Sequence, residues 1–527
     1  MLHSSEYPLV LDCFIRNSAS IMKHLKTFGL SILLLLTSIS IAQKEANIWY
    51  FGNGAGLDFN SGSPVALTDG VMHTEEGCAS IADASGKLLF YTNGSTVWNK
   101  NHQVMTNGSG LLGHYSSTQS AIIVPKPYSS TIYYIFTLDC EGMSNGLNYS
   151  EVDISLSGGL GAITTNKNIQ LITPALEKLT AVLHNNGTDI WVITHEGDSD
   201  AFYSYLVTQS GVNALPIVSN SGTFISVTYG SMNSSPQGYM KVSPDGRYLA
   251  VALSSAYYEA LLFEFDNITG IVSNPITLLS NSNNTLKNPY GVEFSPNGKY
   301  LYIETMFGNK PPSNYYQDCR IYQFDLNDAN IPLSGTIIND LPGTGTGALQ
   351  LGPDGKIYVI RFASSPPSFI SVIDKPNKKG LNCGFLLNAI SLNGRECQFG
   401  LPSFIQSYFY TPDDSDDPDQ NSSNVVYLPT AFSPNGDGRN DELYVRGENI
   451  DKIELIIYNR LGELVFTTKS QSSGWDGTHR GEMLNSDVFI ANLNVTFSDG
   501  ETNTTESLFN DNRNSARNLT NNGVGHS

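Results

Sequence analysis

One pattern recurs through most of the chain at a spacing near fifty residues, and it constrains the fold more than any other feature. An apolar strand is followed by a turn rich in Pro, Asp, Asn and Gly, then by a second strand rich in Tyr, Ile and Val. The cleanest copies are KVSPDGRYLAVAL from Lys241, EFSPNGKYLYIET from Glu293 and LQLGPDGKIYVIR from Leu349. Looser copies begin at Ser80, Ala121 and Ala181. Such a turn between two alternating runs encodes a hairpin, because it supplies the unusual φ values that a tight reversal needs. Each copy has one apolar anchor in its first strand: Ile81, Ile123, Val182, Val242, Phe294 and Leu351. Gly77, Gly238 and Gly347 stand four residues before three of these anchors, and Gly291 three before a fourth. Glycine there points to a close backbone approach as the chain enters an inner strand.

Third strands follow at Phe202, Leu261, Arg320 and Phe369, and fourth strands at Phe224, Ile276 and Gly335. Four strands per repeat is the signature of a β-propeller with WD40-like blades. A seventh anchor, Phe404, has Gly400 four residues before it, and the anchors from Ile81 to Phe404 average about 54 residues apart. The strands missing after Phe404 are supplied by NIWYFG from Asn47 and GLDFNSG from Gly56. Residues 43–410 therefore read as seven blades, the last closed by both ends of the domain, which removes two sheet edges. The irregular first two copies leave six or eight blades open.

Composition agrees with a turn-rich, all-β chain. Only 15% of residues are charged, while Gly reaches 48, Tyr 27 and Phe 24 of 527. That excludes a coiled coil or a disordered chain. The net charge of −20 without a basic patch argues against a nucleic-acid partner. Lys23 and Lys26, an apolar run from Phe28 to Leu36, and Ser40-Ile41-Ala42 read as a signal peptide, with Met22 the expected start. Residues 1–42 are thus an upstream extension and signal peptide, and no other apolar run is long enough to predict a transmembrane segment. Without Cys13, five cysteines remain, too few for a disulfide scaffold. Cys383 and Cys397 are close enough in sequence to bridge one hairpin region, and buried free thiols are the other reading.

Residues 411–424 contain five aspartates and read as a solvated acidic linker. A strand pattern restarts at Val425, with a loop at Ser433–Asp441, a hairpin from Ile453 and further strands from Gly474. About eighty residues of this kind suggest a small β-sandwich. The blocks LPTAFSPNGDGRND, IIYNRLGELVF, GWDGTHRGEML and DVFIANLNVTFSDG occur in order over 428–500. In these blocks the segment resembles the gliding motility-associated C-terminal domain of Bacteroidetes surface proteins, the type B sorting domain of type IX secretion. The resemblance implies an Ig-like sandwich and passage through the periplasm. It further implies handling by the type IX secretion machinery and a secreted or outer-cell-surface product. The segments EEGCASIADASGKLLFYTNGSTVWN and SSTQSAIIVPKP also resemble the propellers that precede such domains. The sorting domain is expected to end at 503, because 504–527 lacks the final apolar strand of the family and reads as an aberrant tail.

Three candidate sites follow. Asn435, Asp437, Asn440 and Asp441 cluster side-chain oxygens in a glycine-bearing loop suited to calcium, though the same residues equally serve Asx turns. Residues just before each innermost strand converge near the mouth of a propeller channel. By alignment these are Glu76, Gln119, Lys178, Gln237, Tyr290, Thr346 and Phe399, a polar ring with two aromatics suited to a glycan or peptide. His73, Glu75, Glu76, His102 and His114 offer imidazole and carboxylate around the first blade, at spacings that match no metal motif. Gly142–Gly146 matches G-x-S-x-G but is not followed by a helix, so the nucleophile-elbow context is missing. A ring with one carboxylate favours a non-enzymatic binding or adhesion module with a glycan or surface protein as partner. A secreted hydrolase or lyase using the channel face is the alternative.

Overall fold

In a computed structural model of the chain, the first unit is described at residues 44–142, 144–227, 237–254, 257–280, 288–305, 319–341, 345–362 and 367–412. The second is described at 425–428, 431–432, 434, 441–448, 450–485, 487–497, 500 and 502–511. The two compact units meet in sequence at Pro412 and Asp413.

The first unit is a seven-bladed β-propeller. Blades one to six span 79–109, 121–172, 175–225, 240–279, 289–341 and 345–391. Blade seven holds the three-stranded meander Ile48–Phe51, Ala55–Asp58 and Val65–Leu67. Blades one and two share one sheet, because Ala162 pairs in parallel with Thr106 at their outer edges. In blades four to six each repeat forms four antiparallel strands, with its SPDG, SPNG or GPDG turn closing the inner hairpin. The anchors Ile81, Ile123, Val182, Val242, Phe294, Leu351 and Phe404 are all buried. They sit on the sheet face that packs against neighbouring blades, which is why an apolar residue recurs there.

Ring closure uses two kinds of seam. Where blades one and two, five and six, six and seven, and seven and one meet, glycine allows backbone against backbone. A Cβ on Gly77 would lie 2.1 Å from Ser120 N, one on Gly291 2.6 Å from Gly347 O, and one on Gly347 2.3 Å from Phe399 O. At the other seams polar groups bridge the gap. Gln119 spans from blade two to Leu179 and Met240, Lys178 from blade three to blade four, and Tyr239 N donates to Tyr290 O at 2.8 Å.

Residues 399–405 occupy the inner place of blade seven. Phe399 O accepts from Ala348 N of blade six, Phe399 N donates to Glu75 O, and Phe404 packs against Trp49 at 5.8 Å. Strand Ile48–Phe51 lies against Ala79–Ala82 as Tyr248–Leu253 lies against Pro289–Phe294, the relation of successive blades. Among the described residues, 399–405 makes no ladder with Ile48–Phe51. It bridges in parallel to blade one at Cys78–Pro402, then to blade three at Ala181–Ile405. The chain then crosses the face where inner strands end. Leu183 N donates to Ser407 Oγ at 2.9 Å, and Thr411 N to Pro296 O at 3.1 Å. We term residues 405–411 the exit-face strap.

Lys241, Glu293 and Gln350 each stand one residue before an anchor in successive repeats, and their side chains meet. Lys241 Nζ donates to Glu293 Oε2 at 2.5 Å and to Gln350 Oε1 and Leu349 O at 2.8 Å, all fully enclosed. Burial pulls the lysine down and pushes the carboxyl up, while their mutual attraction opposes both shifts. A buried pair of this kind specifies register more than it adds stability.

The thiols of Cys78, Cys140, Cys383 and Cys397 are buried and in no disulfide, so the Cys383–Cys397 bridge does not form. Cys397 Sγ instead donates to Pro367 O at 3.2 Å.

The second unit is a small β-sandwich. Its main sheet has the strand order Ala431–Phe432, Thr502–Asp511, Val488–Phe497, Ile450–Asn459, Leu464–Thr468. Trp475, fully buried, packs among Phe432, Phe466 and Phe489 at its core. The last strand corrects the expected end of the domain at 503. Residues 502–511 pair along their length with Val488–Phe497 and also receive Ala431–Phe432. One edge is paired along its whole length and the other only at Asn510 and Asp511, and this backbone pairing holds a strand of largely polar sequence. Residues 1–43, which include the expected signal peptide, the linker from 413 to 424 and the end of the tail from 512 lie outside the described residues.

Candidate functional site

The face where the inner strands begin carries an open cleft of about 370 Å³. Five segments build it: Asn53 in blade seven, His73 to Glu75 at the entrance to blade one, Asn93 in a blade-one turn, Tyr115 in the loop that leaves blade one, and Gln398. The chain from 71 to 76 is extended and alternates strictly between exposed and buried residues. His73 and Glu75 therefore face solvent, while Thr74 and Glu76 point inward.

Tyr115 is a fixed platform. Its carbonyl accepts from Glu75 N, Glu76 N and Thr74 Oγ1, each at 3.1 Å. Its ring stacks on His114 at 4.5 Å and remains 44% exposed. The Asn93 amide is spent on its own turn, holding Ser95 N and Thr96 N, and donates to His73 O at 3.0 Å. Asn53 donates to Glu396 at 3.1 Å. These bonds fix the cleft wall before any ligand arrives, which lowers the entropic cost of binding.

Behind the cleft lies a closed polar cluster on the propeller axis. Glu177 is anchored by Thr118 N at 2.7 Å, Thr118 Oγ1 at 2.8 Å and Glu141 N at 2.7 Å. Glu76 lacks such anchoring. Its Oε2 has no hydrogen-bond partner, and the hydroxyls of Tyr239 and Tyr290 are likewise buried and unpartnered. The Tyr290 hydroxyl faces Glu76 without completing a bond to it. Burial and then the neighbouring Glu177 push the Glu76 carboxyl well above its ordinary 4.5. Folding thus binds a proton at Glu76. This contribution is full below pH 4.5 and is lost as pH rises through the folded value. A Glu76→Gln variant should match wild type near pH 4 and melt at higher temperature near pH 8. Melting curves that stay parallel across that range would refute this account of Glu76.

The expected ring is thereby divided. Glu76 and Tyr290 meet on the axis. Gln119 is enclosed, its Nε2 donating to Leu179 O at 2.8 Å and Met240 O at 3.1 Å, and its Oε1 accepting from both amides. Lys178 is enclosed too, donating to Gly238 O at 2.7 Å, Ala252 O at 2.8 Å and Gln237 O at 3.4 Å. Burial pulls its ammonium down to about 7, partly offset by Glu177. Gln237 and Phe399 are half-buried at the seams, and Thr346 lies in strand Gly345–Leu351.

The five-residue metal grouping around blade one does not come together. His73 and Glu75 line the cleft, and Glu76 lies on the axis. His102 contacts Tyr91 at 3.1 Å and Asp69 at 3.4 Å, and His114 holds Ser116 N. Among the described residues no three His, Cys, Asp or Glu form a metal site. Of the loop proposed for calcium, Asn435, Asp437 and Asn440 lie outside the described residues, and Asp441 is half-buried.

Sequence reasoning missed the cleft residues Asn53, Asn93, Tyr115 and Gln398. They come from segments far apart in the chain, so no local pattern marked them.

A propeller with its own pre-shaped cleft, followed in sequence by a small sandwich, defines a two-domain protein. Residues 426–509 match the CHU_C type IX secretion signal domain, so the chain carries a type IX sorting domain and is exported to the cell surface or secreted. The type IX machinery is the partner of that domain. No curated protein matches the chain. Among solved structures, the chain is similar to a protein from Lactobacillus plantarum at 12% identity and TM-score 0.39, covering 67% of this chain and 98% of that one. It is similar to the periplasmic gluconolactonase of Pseudomonas aeruginosa at 15% identity and TM-score 0.32, covering 72% and 98%. The Cps50 (Swd1) propeller domain of Myceliophteria thermophila is matched at 11% identity and TM-score 0.33, covering 60% and 92%. Among the described residues no helix is long and apolar enough to cross a membrane.

Proposed function

We propose that the propeller is an exported, non-enzymatic binding or adhesion module whose ligand seat is the cleft beside the axis. Residues 1–42 act in this reading as upstream extension and signal peptide. The observation that carries it is Tyr115, a half-exposed aromatic ring stacked on His114 whose backbone carbonyl is fixed by Glu75 N and Glu76 N, at the wall of a cavity of about 370 Å³. Rigid aromatic anchors in concave sites supply much of the energy of recognition. The partner is an extracellular glycan or a surface protein. The test is a panel of immobilised glycans and surface proteins offered to the full-length protein. Tyr115→Ala should weaken the bound member at least about tenfold with melting unchanged, a typical cost of losing a stacking anchor. Equal binding by wild type and variant would remove the cleft as the seat.

A second reading, a hydrolase or lyase, is favoured by the pairing of Glu76 with Glu177 on the axis. A carboxyl kept protonated by burial and a like charge is suited to act as a general acid. Turnover of a bound ligand that is abolished in Glu76→Gln would select it.

A further inference from the structure

We propose that the cleft is selective for neutral saccharides and rejects acidic ones, an inference that rests on the cleft being the ligand seat. What the wall leaves available to a ligand decides its chemistry. The Asn93 amide and the Asn53 N–H are committed within the protein. The remaining lining residues are then Glu75, His73, Gln398 and Tyr115, with the rest of the Asn53 amide.

A carboxylate accepts from adjacent hydroxyls, an amide both donates and accepts, and an aromatic face covers the apolar C–H face of a sugar ring. Together they suit a hydroxyl-dense, uncharged ring. Among the described residues no lysine or arginine lines the cavity. A second carboxylate, Glu396, stands behind Asn53, and the whole chain carries a net charge of −20. A uronic acid or sulfate in the cleft would face Glu75 with no lysine or arginine among the described lining residues to pair it, and like charges in close contact are strongly disfavoured.

The experiment compares neutral oligosaccharides with polygalacturonate and chondroitin sulfate as probes, using the full-length protein, Tyr115→Ala and Glu75→Gln. Wild type should prefer neutral probes at least about tenfold, with affinity nearly independent of salt because no charge pairing is involved. Tyr115→Ala should lose the neutral probes. Glu75→Gln should narrow the preference, because the repelling charge is gone while a polar side chain of the same shape remains. Tyr115-dependent binding of the acidic probes would overturn the selectivity and leave the seat standing. Tyr115-dependent capture of a protein but no saccharide would do the same. Absence of any Tyr115-dependent binding would overturn the seat itself, and the selectivity with it.

Discussion

Gln119→Glu should be among the most destabilising isosteric changes in this protein, lowering the stability of the propeller by about 3–6 kcal/mol at pH 8. The side chain sits where a peptide group would sit between blades two, three and four. Its Oε1 accepts from Leu179 N at 3.2 Å and Met240 N at 2.8 Å, and its Nε2 donates to the two matching carbonyls. This pattern also fixes the orientation of the amide, since the flipped group would aim N–H at N–H. Glutamate keeps the shape and the acceptor but replaces the donor with an oxygen facing two buried carbonyls. Each orphaned carbonyl costs about 1–3 kcal/mol, and the two sites share one side chain. Protonation would restore one O–H donor, so the deficit should shrink as pH falls toward 5. Denaturant midpoints of wild type and variant at the two pH values measure this. A variant within about 0.5 kcal/mol of wild type at pH 8 would show that Gln119 does not bridge the blades. A ligand-contacting role for Gln119 makes the opposite forecast, lost binding with stability intact.

Gln119 also shows how far a sequence can be read here. The propeller was legible because seven apolar anchors recur at one register and glycine precedes five of them, and both signals follow from packing that every blade must satisfy. Gly77, Gly291, Gly347 and Gly400 all prove to be points of close backbone approach. At the seams made by Gln119 and Lys178, the same alignment column holds polar residues. A side chain that satisfies backbone groups is written in the same letters as one that meets a ligand, so only the three-dimensional partners tell them apart. Lys241, Glu293 and Gln350 were recoverable in principle, since a polar residue beside the anchor in three successive repeats must face the axis together. The cleft was not recoverable in that way. Asn53, Asn93, Tyr115 and Gln398 come from segments far apart in the chain, and no local pattern records that closing the ring brings them together. The last strand of the sandwich failed for another reason. TNTTESLFND lacks the apolar face expected of a terminal strand, yet a full-length ladder to Val488–Phe497, with Ala431–Phe432 added at its end, holds it in the sheet.

Gly400→Ala should open the ring at the one seam that joins the two ends of the propeller. A Cβ at this position would lie 1.8 Å from Glu76 O and 2.3 Å from Glu76 C, so backbone rather than a side-chain tip must move. Overpacking into rigid surroundings costs about 1–3 kcal/mol where neighbours can yield, and more where they cannot. The outcome depends on what else holds the displaced segment. At the Gly77 seam, both sides belong to strands paired within their own blades, Ala79–Ala82 with Leu88–Thr92 and Ala121–Pro125 with Ile132–Leu138. Residues 399–405 have no such ladder among the described residues, only single bridges at Cys78–Pro402 and Ala181–Ile405. A shift at Gly400 therefore travels along the segment into the exit-face strap, where Ile405 and Phe409 are buried and Leu183 N depends on Ser407 Oγ. Hydrogen exchange should show early loss of protection through 399–411, while the ladders of blades three to five stay closed. Gly77→Ala, with a comparable clash at 2.1 Å, should lower the melting temperature without this local opening. If the two variants open alike, the ring is held by all its seams equally and the C-terminal segment is not its latch. If only Gly400→Ala opens, the propeller is locked by the stretch of chain that leads directly into the sorting domain.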